Sequence, residues 1–122
     1  MGKIGGNIAA VIQYMAGRKD NGIGQSIPVW ETAMELIGWL DLQDGDAAFE
    51  KLSAKIQEST HVFICDYSPL LVQAEDGKQV ELTPENSRMV IEGKIYEAAL
   101  YDDPMGMHSH LELYLKYMGG VG

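Results

Sequence analysis

Cysteine is almost missing from this chain: Cys65 is the only one in 122 residues. No intrachain disulfide can form, so the sequence does not read as a secreted, disulfide-stapled scaffold. Positive charge is scarce as well. Nine Lys and Arg stand against eighteen Asp and Glu, a formal net charge of −9, and the nine do not gather in one stretch. Such a surface repels phosphate. That argues against classical nucleic-acid binding, yet it suits a conduit through which DNA must pass without being held. Long apolar runs are lacking too. The longest, such as residues 8–12, fall far short of the ~20 residues a membrane span needs. The opening MGKIGGN has no apolar signal core, and Gly6 stands where a myristoylation signal wants serine or threonine. The expectation is a soluble, cytoplasmic chain without membrane contact.

What is present is ordinary for a globular protein, with 46% hydrophobic and 22% charged residues. A chain of this size buries roughly two thirds of its unfolded surface and needs no metal or disulfide to hold a core. Residues 1–122 are read as one domain.

The organising stretch is 87–101, SRMVIEGKIYEAALY. Two apolar-rich runs flank Glu92-Gly93, and glycine supplies the positive φ of a tight hairpin turn. Counting outward from that turn sets Ile91 against Lys94, Val90 against Ile95, Met89 against Tyr96 and Arg88 against Glu97. Opposed residues share a face. Met89, Ile91, Tyr96, Ala98 and Leu100 then form a core face, with Val90, Ile95 and the Arg88–Glu97 pair on the other. A helix here would carry Gly93 at a cost of about 1 kcal/mol.

Elsewhere the pattern is again mostly β. Residues 8–16 (IAAVIQYMA) read as a first strand and 17–28 (GRKDNGIGQSIP) as a flexible surface loop. Residues 29–42 are ambiguous. Trp30, Ala33, Met34 and Ile37 fit helical spacing, whereas Trp30, Met34, Leu36, Leu40 and Leu42 fit one face of a strand. Pattern alone leans to the helix. Asp44-Gly45-Asp46 reads as a turn and N-cap, with Phe49, Leu52 and Ile56 on one face of a short helix behind it. Residues 60–66 (THVFICD) carry a strong strand signal. Residues 68–86 form a long connection, within which 70–74 and 79–82 can pair across Asp76-Gly77 as a small projecting hairpin. A turn over 102–109 leads to a last alternating strand. It sets Leu111, Leu113, Leu115 and Tyr117 one way and Glu112, Tyr114, Lys116 and Met118 the other. The fold expected is mainly β: a small antiparallel β-barrel with one short helix and long loops.

Candidate chemistry is thin. His108, His110 and Glu112 fall at alternate positions and would share a strand face, a spacing that can hold a metal; a solvated turn and strand edge is the commoner meaning. Cys65 and His61 lie four residues apart in one strand, roughly 13 Å, too far for a nucleophile–base pair. A buried structural cysteine is the simpler reading. The glycines of 17–28 match neither phosphate-binding fingerprint, and Asp44 and Asp46 lack the rest of a calcium loop. No catalytic residues, cofactor or metal are expected.

The order of these pieces carries a resemblance. An early AAVIQYM strand, a polar glycine-containing loop, a tryptophan-bearing segment ending GWLDLQDGD, the Thr60-His61-Val62 strand and SRMVIEGKIYEAALYDDPMGMHSHLELYLKYMGG follow one another over most of the chain. In this order the chain resembles the head–tail joining family of long-tailed phages, the head-closure or stopper proteins, and within it those of Bacillus-type defective prophages. The resemblance implies a small β-barrel with one short helix, and it tips 29–42 from helix to strand. It implies a virion protein of the phage neck, made in the bacterial host cytoplasm, with no catalytic residues. Copies would form a ring, a dodecamer in the family, below the portal and adaptor and above a tail-completion or tail protein. Packaged DNA would pass through without sequence-specific binding. The contact or channel loops expected by length and position are 68–86, with Pro69, Leu70, Leu71, Val72, Glu75 and Asp76, and 17–28, with the Asn21-Gly22 turn and Ile23. The alternatives are a tail-completion or tail-tube protein of the same virion, or a small metal-binding barrel enzyme using His108, His110 and Glu112.

Overall fold

The computed structural model describes residues 5–42 and 59–120. The expected helix behind Asp44 lies outside the described residues. The described residues form eight strands: β1 (Ile8–Asp20), β2 (Ser26–Leu42), β3 (His61–Asp66), β4 (Leu71–Gln73), β5 (Gln79–Glu81), β6 (Ser87–Ile91), β7 (Lys94–Asp102) and β8 (His110–Gly120). Six of them close on themselves as a barrel in the order β1-β2-β3-β8-β7-β6, and β4 and β5 form a separate two-stranded hairpin. All pairings in the ring are antiparallel. Closure leaves the shared part of each strand without a free edge.

The β6–β7 hairpin has the expected register, with Arg88 opposite Glu97, Met89 opposite Tyr96, Val90 opposite Ile95 and Ile91 opposite Lys94. Glu92 (φ 51°) and Gly93 (φ 76°) both adopt left-handed backbone, the requirement of a type I′ turn. The interior is filled by alternate residues of each strand. Ala10, Ile12, Phe63, Met89, Leu113 and Leu115 are fully enclosed, and Leu36, Cys65, Ile91, Tyr96, Ala98 and Leu111 complete the layer.

Several expectations are corrected by the register. Residues 29–42 are strand, against the helical lean of their spacing; the two-residue period governs because this segment bridges β1 and β3. The expected loop over 17–28 is largely strand as well. β1 runs on to Asp20 and β2 begins at Ser26, with pairs from Gly17–Val29 to Asp20–Ser26. A two-stranded arm replaces the flexible loop, because extended residues on both sides satisfy each other's backbone groups.

Bulges alter the faces. Ala33 is an extra residue in β2, between the pairs Ile12–Met34 and Gln13–Thr32. It flips the phase, so Met34 packs on the core while Trp30 faces outward beside Arg88. Ala99 is likewise extra in β7. Leu100 therefore leaves the expected core face and packs outside with Val62 and Tyr114, and Tyr101 turns onto the core in its place. Each follows from the period of two: one added residue inverts everything beyond it.

Gly38 marks the tightest approach in the barrel. A Cβ there would lie 2.2 Å from the Ile64 carbonyl oxygen and 2.9 Å from both Cys65 Cβ and the Phe63 ring. Only a residue without a side chain lets β2 and β3 close at this point.

Candidate functional site

Among the described residues, two features project from the barrel. Both come from segments singled out as contact loops. The first is the arm formed by the ends of β1 and β2. Its turn is stabilised by side chains rather than left loose. The Asp20 carboxylate accepts hydrogen bonds from the Gly22 and Gly24 amides at 2.9 and 3.3 Å, and the Asn21 side-chain carbonyl accepts from Ile23 and Gln25 at 3.1 and 3.3 Å. Arg18 donates to both the hydroxyl and the carbonyl of Ser26, each at 2.9 Å, tying the two strands together. Asp and Asn commonly make such local bonds. Ile23 stands at the tip, 77% exposed.

The second is the β4–β5 hairpin. Its register, Leu71 with Glu81, Val72 with Val80 and Gln73 with Gln79, centres on the Asp76-Gly77 turn. It is anchored rather than free. Leu82 is buried in the barrel core, Leu70 and Val72 pack against that core, and the Leu82 amide donates to the Leu70 carbonyl at 2.8 Å. Leu71, Glu75 and Asp76 point outward, and Pro69 is exposed. The apolar content of this segment thus divides: half serves the subunit's own core and Leu71 remains on display. Behind the hairpin, Ser87 donates to the Thr83 carbonyl and shares a hydrogen bond of 2.7 Å with the Tyr101 hydroxyl. Burial pushes the Tyr101 phenol up to about 12, against the opposing effect of Ser87 and with help from the Glu85 charge.

The histidines do not converge. His108 has a positive φ of 56° and lies before β8, so it does not share the strand alternation. Its ring meets the Asp103 carboxylate and packs on Tyr67 at 4.4 Å between centroids. His110 instead contacts Glu112 at 2.9 Å, and Glu112 also accepts from the Tyr114 hydroxyl at 2.9 Å. Among the described residues no three His, Cys, Asp or Glu side chains gather to hold a metal ion. The strand alternation assumed for His108 fails because the chain turns between it and β8. His61 packs edge-on against Tyr96 and near Tyr117, with its Nδ1 2.8 Å from the Thr60 hydroxyl. Cys65 is buried, and burial first, then the neighbouring Asp66 charge, pushes its thiol up to about 11. It is held as a neutral packing residue rather than a ready thiolate.

A third feature had no signal in the sequence. On the outer face, at the foot of the arm, Trp30, Pro84, Ile95, Ala98 and Met118 line a hollow of about 690 Å³. Arg88 also lines it, held by a 2.8 Å hydrogen bond to Gln13 and by stacking on Trp30. Met118 is the extra residue of a bulge in β8, between the pairs Ile95–Gly119 and Tyr96–Tyr117, and is 55% exposed. The hollow joins residues from four strands across two bulges, which spacing along the chain does not reveal.

No family model matches the chain, and no curated protein matches it. No helix among the described residues is long and apolar enough to cross a membrane.

Proposed function

We propose that this chain is a structural subunit of a phage neck, a head-closure or stopper protein that joins the portal and adaptor to the tail and helps retain packaged DNA. The observation that carries the reading is a small closed barrel with two anchored projections, the β1–β2 arm and the β4–β5 hairpin, each displaying an apolar side chain outward. A barrel that displays apolar side chains on its projections suits assembly, since such side chains gain by burial against another chain. The net charge of −9 suits a ring through which DNA moves, because an acidic wall does not capture phosphates. The work is mechanical and uses no catalytic side chain. Copies arranged in a ring, the adaptor above and a tail-completion or tail protein below are the partners, and the assembled virion is the place of action.

The test is electron microscopy of phage particles assembled with and without this protein. Particles lacking it should fill with DNA, then leak it and fail to take tails, and a tagged copy should label the neck. Label along the tail tube, with stable filled heads in its absence, would move the protein to the tail and overturn the assignment.

A further inference from the structure

Ile23 sits at the end of a lever that its own molecule cannot use. β1 remains paired with β6 only as far as Tyr14, opposite Ser87. From Tyr14 the arm continues six residues to Asp20, about 20 Å at ~3.3 Å per residue. The ladder, the Arg18–Ser26 bonds and the Asp20 and Asn21 turn bonds hold its two strands together. A large aliphatic side chain held in water in this way forgoes the free energy that burial returns.

The hollow at the foot of the arm is built to receive such a side chain. Trp30, Ile95 and Met118 supply apolar walls, and Glu85 and Glu97 stand among its lining residues. Arg88 shares that lining and is outnumbered by the two carboxylates. Just behind the arm tip the exposed Arg18 and Lys19 outnumber Asp20, so the two patches carry opposite excess charge. Self-insertion is excluded by the same geometry. Trp30 belongs to β2 and pairs with Met15, so the arm starts at the hollow and carries Ile23 away from it.

We propose that the arm tip of one subunit, Ile23 backed by Arg18 and Lys19, seats in the Trp30–Ile95–Met118 hollow of a second copy. The two patches differ, so the contact is head-to-tail, and repeated head-to-tail contacts form a ring or an open chain. This deepens the neck reading and rests on it for closure into a ring, though the contact itself can be read on purified protein. The net charge of −9 opposes association. At ~0.15 M salt the Debye length is about 8 Å, which screens that long-range repulsion more than the close pairs at the hollow.

The test is disulfide trapping in the full chain carrying Ile23→Cys and Met118→Cys, with native Cys65 silent because it is only 1% exposed. Under mild oxidation at high protein concentration, the double variant should give a ladder of dimers, trimers and larger species on a non-reducing gel. Each single variant should stop at dimers, and adding Lys19→Glu should weaken the ladder at least several-fold. Ile23→Cys with Ile95→Cys is the second pair, used if circular dichroism shows that Met118→Cys does not fold. A folded double variant that yields nothing beyond the dimers of the single variants, or only an internal cross-link, overturns the contact. A ladder from a protein that micrographs place outside the neck keeps the contact and sinks the neck reading; a neck-located protein without a ladder does the reverse.

Discussion

Arg88 lies over the face of Trp30, its guanidinium carbon 4.3 Å from the ring centroid, although its partner in the strand register is Glu97. The side chain turns away from that carboxylate and reaches over β1, where it donates to Gln13 at 2.8 Å. One residue of β6 thereby braces both strands of the arm. Glu97 is left exposed with Lys116 on its far side in the register. An exposed opposite-charge pair contributes only ~0–1 kcal/mol, whereas an aromatic face accepts a cation without competing for its hydrogen bonds.

That brace yields the first prediction. Trp30→Ala removes the stack, worth about 0.5–1 kcal/mol at an exposed site, and should loosen the arm locally. Amide hydrogen exchange at residues 17–19 should quicken by roughly two- to fivefold, while exchange in β3 and the inner part of β8 stays unchanged. Uniform quickening throughout the barrel would mean that Trp30 supports the whole fold instead.

Glu92 offers a stabilising change. It holds a left-handed φ of 51° in the turn before Gly93, a conformation costing an ordinary residue about 1–2 kcal/mol and asparagine less. Asn-Gly is the favoured pair for this turn. Glu92→Asn should therefore raise stability by about 0.5–1 kcal/mol, read as a higher denaturant midpoint with an unchanged slope. A lower midpoint would show that Glu92 makes a contribution beyond the turn.

Gly38→Ala should do the opposite. The added Cβ falls 2.2 Å from the Ile64 carbonyl oxygen, and backbone cannot step aside as a flexible side chain would. Overpacking of this kind typically costs 1–3 kcal/mol or more. Thermal unfolding should shift down by several degrees, and an unshifted transition would mean that β2 and β3 separate easily here.

These residues also show how much could be read in advance. The β6–β7 register was legible because its turn is local: Glu92-Gly93 fixes the count for both strands, and the apolar pattern agrees with it. The β4–β5 pairing was legible for the same reason, through Asp76-Gly77. The bulges were not. Three of the four extra residues are Ala16, Ala33 and Ala99, small side chains that fit either face and leave no mark in the pattern. Their effect is nonetheless large, since they send Trp30 and Leu100 outward and bring Tyr101 in. The arm was missed because Gly17, Gly22 and Gly24 suggest a loop, while the bonds that stiffen it come from Asp20, Asn21 and Arg18. The hollow was invisible because it exists only once the barrel has closed.

Alkaline pH should weaken the fold. Burial pushes the Tyr101 phenol up to about 12 and the Cys65 thiol up to about 11, from ordinary values of 10.0 and 9.0. In both cases the folded state favours the protonated form. The stability this contributes is fully present below the unfolded values and is lost as pH rises through the folded ones. Each displacement of this size corresponds to roughly 3 kcal/mol. Unfolding free energy should be level up to about pH 9 and fall steadily from there to pH 12. Cys65→Ala should delay the onset of the fall, and tyrosinate absorbance should show the buried phenols of Tyr101 and Tyr114, both pushed up first by burial, titrating only as the barrel opens. A flat profile to pH 12 would mean that the thiol and phenol are hydrated in the folded state.

The β4–β5 hairpin separates anchoring from function within one segment. Leu82 is 3% exposed and sits in the barrel core with Leu70 and Val72 packed against it, so deleting the whole connection would damage the fold and say little about its role. Leu82→Ala should cost about 2–5 kcal/mol, as for other large-to-small core changes. The tip is different. Glu75 and Asp76 are exposed, and the Asp76 carboxylate accepts the nearby Lys78 amide at 2.9 Å. Glu75→Lys with Asp76→Asn should leave stability within about 0.5 kcal/mol of the parent. If this tip faces the DNA passage in the neck, the same variant replaces repulsion of phosphate with attraction. Particles should then assemble, fill and take tails normally, yet release DNA more slowly, with the delay shrinking as salt is raised. Normal release at low salt from well-formed particles would place the tip away from the passage and leave Leu71, 39% exposed on the same hairpin, as its contact with a neighbouring protein.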